Sequence, residues 1–201
     1  KKAQGNQTEK YSAFAVLFAR VFRSQFIAFV GNVIMAFPVS LLGIWLIDYA
    51  FEYNIAAAKW GKLITDISPV HSAAVFHAAI AGVFLFLSGI ISGSVAKLAK
   101  VYEKRWAGVI SNFWFGVFMG STAIIGLFLG LNLDIRHITF VSGNLALAMY
   151  GSNYLMDNTM LFWGIFGIGI IGLVNFLVSF SLSLGLAFRS WDISIFELRF
   201  V

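Results

Sequence analysis

A chain of 201 residues that is 60% hydrophobic and 11% charged carries more apolar surface than one soluble core of this length hides, so a membrane protein is the expectation. With no cysteine, neither a disulfide framework nor a thiolate metal site is available. The net charge of +5 comes from basic residues set between apolar runs, where membrane orientation explains them better than nucleic acid does.

Residues 1–24 begin polar and then place Tyr11, Phe14, Leu17, Phe18, Val21 and Phe22 at helical spacing beside Arg20 and Arg23. That pattern predicts an N-terminal amphipathic helix, lying on the membrane surface or packed on a further soluble domain. The chain starts Lys1-Lys2 without Met and stops at Val201, so a piece of a longer protein is expected. Residues 25–189 should form the transmembrane bundle, and 190–201 a polar, aromatic tail.

The first span is predicted at Phe26–Ile47, long enough to cross a hydrocarbon core about 30 Å thick. Pro38 in its middle removes one helix hydrogen bond and predicts a kink, whose freed carbonyl Ser40 or a neighbouring helix would satisfy. Asp48–His71 reads as an extramembrane connection, helical around Ile55–Lys62, and Ser68-Pro69 opens a second span at Val70–Ala96. There Ala74, Ala78, Ala81, Ser88, Ser92 and Ala96 share a face, with Gly82 and Gly89 at its edge, as close helix packing in lipid requires. His71 and His77 are six residues apart, off a common face, and are read as interfacial or bundle-facing rather than as metal ligands.

After a basic loop, the third span, Trp106–Leu131, lines up Asn112, Gly116, Gly120, Ala123 and Gly130 as a second small-residue stripe. The segment Leu131–Tyr150 follows, too short and too polar to span, with Asp134, Arg136 and His137 in four residues and an apolar second half. It is either an exposed loop or a re-entrant half-helix held among the spans; Asp134, Arg136, His137 and Asn144 are its candidate cluster. The fourth span, Met160–Phe188, carries Gly164, Gly172, Asn175, Ser179 and Ser183 within about a third of its circumference, for packing or for lining a cavity. Eleven Lys and Arg fall on one side of these spans and three on the other, which predicts both termini in the cytoplasm.

The blocks AFPVSLLGIWL at Ala36–Leu46, HAAIAGVFLFLSGIISG at His77–Gly93 and FLGLNLDIRHITFVSGNLALA at Phe128–Ala148 resemble a family of bacterial membrane proteins named as site-specific recombinases. The resemblance covers roughly Gly31–Arg189 and implies a multi-pass protein of the bacterial inner membrane, with a further N-terminal part before Lys1. Its name implies DNA strand exchange. Asp134-Ile135-Arg136-His137 is similar to the Leu-Arg-His box of tyrosine recombinases, yet that chemistry needs a tyrosine nucleophile some way further on, and no tyrosine follows Tyr154. No HExxH, paired Glu-x-x-His or glycine-rich phosphate loop is present, so no cofactor, no metal and no enzyme activity are expected.

Two functions remain open on these residues. One is a membrane-embedded scaffold or subunit, binding lipids and other membrane helices or a second copy through its small-residue faces, with no nucleic acid. The other is a channel or transporter subunit that uses Asp134, Arg136 and His137 near a broken helix.

Overall fold

The computed structural model describes residues 2–98, 104–130 and 138–191. Among them every regular element is a helix: α1 (Lys2–Phe51), α2 (Trp60–Ile67), α3 (Ala74–Leu98), α4 (Lys104–Leu129), α5 (Ile138–Gly151) and α6 (Asn158–Trp191). Four of these, α1, α3, α4 and α6, are long and apolar enough to cross a membrane. The protein is an all-α membrane protein.

Side-chain contacts give the direction of each helix. Phe14 of α1 stacks on Phe188 of α6 with ring centroids 4.9 Å apart, and Phe22 meets Phe176 at 5.3 Å, so these helices are antiparallel. Asn175 reaches the Ala78 carbonyl and Gly82 abuts Val178, which makes α3 parallel to α6. Phe84 packs on Phe118 at 5.7 Å, each the same number of residues from the α3–α4 connection, so α4 returns antiparallel to α3. The chain therefore runs along α1, back through α2 and α3, forward through α4 and α5, and back along α6.

The N-terminal amphipathic stretch and the first span form one uninterrupted helix of 50 residues. Its apolar stripe packs on the second half of α6, where Phe14, Phe18 and Phe22 meet Phe188, Phe180 and Phe176. Nothing breaks α1 at Arg23, because Phe22 and Phe26 continue the same helical register. Pro38 lies within α1, which continues past it.

The connection after α1 also departs from expectation. Its helix is Trp60–Ile67, later than Ile55–Lys62, and Ser68-Pro69 lies between α2 and α3 rather than opening the second span. Ser72 holds that break together: its hydroxyl donates to the Ser68 carbonyl at 2.7 Å and accepts from the Ala74 N–H at 3.2 Å, so it caps α3. The core forms where the short helices meet the long ones, around Ile67, Ala74, Ala78, Val141, Leu145, Ile168 and Ile171.

A buried half-helix as candidate functional site

The most enclosed element is α5, the second half of the segment that the sequence singles out. Val141, Ser142, Gly143, Leu145, Ala146 and Ala148 are all buried, although α5 has only 14 residues. At about 1.5 Å per residue that is roughly 21 Å, too short to cross a bilayer alone. Its neighbours are α1, α2 and α6.

Small residues make the burial feasible. A Cβ on Gly143 would sit 2.7 Å from the Ser40 hydroxyl, and one on Gly151 would sit 2.7 Å from the Ala56 carbonyl oxygen. Gly151 therefore admits the Ala56 backbone and Gly143 the Ser40 side chain, each of which a larger residue would displace. On α6, Gly164 receives the Leu145 and Ile64 side chains, and Gly167 lies against the Ile67 backbone at the end of α2.

Two hydrogen bonds to α1 tie α5 at either end. The Ser142 hydroxyl donates to the Val33 carbonyl at 3.0 Å, in the turn preceding Pro38. The Tyr150 hydroxyl donates to a carboxylate oxygen of Asp48 at 2.8 Å. That bond, then burial and the nearby Asp48 charge, raise the Tyr150 pKa above its ordinary value of 10.0. Immediately afterwards the chain turns sharply: Asn153 and Tyr154 both take positive φ, and the Tyr154 N–H returns to the Met149 carbonyl at 2.9 Å.

Of the candidate cluster, Asn144 is half-buried on α5, whereas Asp134, Arg136 and His137 lie outside the described residues. Asn175 is buried to 2% exposure and donates to the Ala78 carbonyl at 2.6 Å, joining α6 to α3. Gly164 and Gly172 are buried on α6. Gly116 and Gly120 are not: both are exposed, with nothing within 4 Å of an added Cβ. Among the described residues α4 packs chiefly on α3, and no other helix meets its stripe. Gly130 is also reassigned, because its φ of +64° ends α4 in a left-handed turn that favours glycine. His71 is exposed and His77 is buried in the bundle.

Among the described residues no group of three or more His, Asp and Glu is placed to hold a metal ion. Sequence reasoning passed over the Asp48–Tyr150 and Ser142–Val33 pairs, since each joins residues about a hundred positions apart.

A family model described as site-specific recombinase matches residues 1–96 and 93–201, which together take in the whole chain. No curated protein and no solved structure matches.

Proposed function

The chain belongs to the site-specific recombinase family, and from that premise we propose that it is a membrane-embedded assembly module whose role is to receive other membrane helices. The observation that carries this reading is α4, a membrane-length helix whose Gly116, Gly120 and Ala123 stripe stands open among the described residues, while Ala74, Ala78, Ala81 and Gly82 of α3 and Gly164, Gly172 and Asn175 of α6 are buried. Helices associate in lipid through such stripes, because small side chains bring backbones into van der Waals contact. The partner is another membrane-protein helix or a second copy of the chain. The membrane is the bacterial inner membrane with both termini cytoplasmic, an assignment supported by the Lys and Arg distribution.

In this reading α5 is a re-entrant half-helix, fixed by Ser142 and Tyr150, and serves as a rigid plug rather than a moving part. Strand exchange is not assigned to the chain: the tyrosine-recombinase route has no tyrosine after Tyr154 in these residues to serve as its nucleophile. The test is co-purification from membranes of the parent and of Gly120→Leu. Loss of a membrane partner or of self-association in the variant, with its own melting temperature kept, supports the module; identical co-purification opposes it.

A transport role is the second reading, favoured by the two short helices α2 and α5, which pack on each other. Ion or solute flux in liposomes carrying the purified chain, absent from empty liposomes, would select it.

A further inference from the structure

The described charges are segregated. Carboxylates with described side chains are Asp48, Glu52, Asp66 and Asp157, all near the end where α1 finishes and α6 begins, and Lys59 and Lys62 lie there too. At the other end, cations alone are described: Arg20 and Arg23 on α1, and Arg189 on α6.

Arg20 and Arg23 are exposed and one helical turn apart. They do not face the bundle, because the Phe14, Phe18 and Phe22 stripe on the opposite side of α1 makes the contacts with α6. They share the outward stripe instead with Val16, Ile27 and Ile34, which are 49%, 58% and 62% exposed. Among the described residues neither guanidinium has a carboxylate or hydrogen-bonding partner. Two cations thus stand in a stripe that is otherwise suited to acyl chains.

The spacing along α1 says where that is tolerable. From Arg23 to Asp48 no charged residue intervenes. At about 1.5 Å per residue this interval is roughly 37 Å, a hydrocarbon core plus the beginning of each headgroup layer. Asp48 ends the interval beside Trp45, Tyr49 and Tyr150, an aromatic edge of the kind found at a membrane surface. Arg20 and Arg23 therefore fall at phosphate depth of the opposite leaflet. A guanidinium there binds phosphate oxygens through a planar fork of donors while its stem and the neighbouring Ile27 stay among the acyl chains.

We propose that Arg20 and Arg23 form a binding site for the phosphate of an anionic phospholipid, and that this site fixes the depth of α1 in the bilayer. The site is on α1 and is independent of the α4 face.

The test uses the full chain in detergent, with phosphatidylglycerol or phosphatidylcholine added, and reads the melting temperature. Phosphatidylglycerol should stabilise the parent more than phosphatidylcholine does. Arg20→Gln/Arg23→Gln should lose at least half of that difference, Arg20→Lys/Arg23→Lys should keep most of it, and Lys59→Gln/Lys62→Gln should leave it intact. Equal stabilisation by the two lipids overturns the proposal, as does a lipid preference that survives in the double glutamine variant. If inorganic phosphate alone reproduces the shift, the arginines take free anion and the lipid assignment fails. Should the glutamine variant not fold, native mass spectrometry of the double lysine variant and the parent replaces it: retained phosphatidylglycerol on both supports the site, and none on either refutes it.

Discussion

Tyr150 at the last turn of α5 donates its hydroxyl to Asp48 at the last turns of α1, 2.8 Å away, joining two residues 102 positions apart. With Ser142 bonded to Val33 at the other end, this makes α5 a strut fixed along α1 rather than a loop resting on it.

Tyr150→Phe should therefore lower the melting temperature, and the loss should depend on pH. The folded-state pKa of Tyr150 is raised above 10.0, so the bond's contribution is fully present below about pH 10 and disappears as pH rises through the raised value. Parent and variant melting curves should differ at neutral pH and converge in strong alkali. A constant difference across that range would show that the tyrosine acts by packing alone.

Ser142→Ala tests the opposite end of the strut. A hydrogen bond between membrane helices contributes about 0.5–2 kcal/mol, and this change removes it with little loss of volume. Unfolding in a denaturing detergent should show a loss in that range. No loss would mean that the Val33 carbonyl is satisfied without the serine.

Glycines separate into two groups with opposite expectations. At Gly167 an added Cβ meets the Ile67 backbone, which cannot swing aside as a flexible side chain would, so Gly167→Ala should cost about 1–3 kcal/mol. At Gly120 nothing lies within 4 Å, and Gly120→Ala should leave the stability of the isolated chain unchanged or slightly raised, since alanine is the better helix former. Thermal melts of the two variants in the same detergent check both statements.

That division also marks how far the sequence could be read. The membrane helices were legible because apolar runs long enough to cross a bilayer exceed what a soluble chain of this length can bury, and α3, α4 and α6 fall within a few residues of the expected spans. Ala74, Ala78 and Ala81 are buried as their shared face requires. The stripe on α4 has the same composition and yet is open, because periodicity shows which residues share a face but not what lies opposite it. What the N-terminal stripe packs on is not legible for a related reason: an amphipathic stripe suits a membrane surface or a partner helix equally, and α6, which it meets, lies more than 150 residues away. The enclosure of α5 depended on Gly143, Gly151 and Gly167 meeting particular neighbours, a property of tertiary approach that no local pattern carries.

Topology has its own direct check. The native chain has no cysteine, so single substitutions report without background. Lys59→Cys should label from outside intact cells and Arg189→Cys only after the membrane is opened. The reverse pattern would invert the assignment of both termini to the cytoplasm.

The role of α4 as a receiving surface is tested most directly by cysteine crosslinking in native membranes. Cysteines placed singly at Gly116, Gly120 and Ala123, on the open face, are compared with cysteines at Ile110 and Phe118 on the same helix. The account predicts efficient crosslinks, to a second copy or to another membrane protein, at the three small positions and weak ones at the other two. If the three small positions give no crosslink above the level of the two controls, α4 faces lipid and the assembly-module reading is wrong.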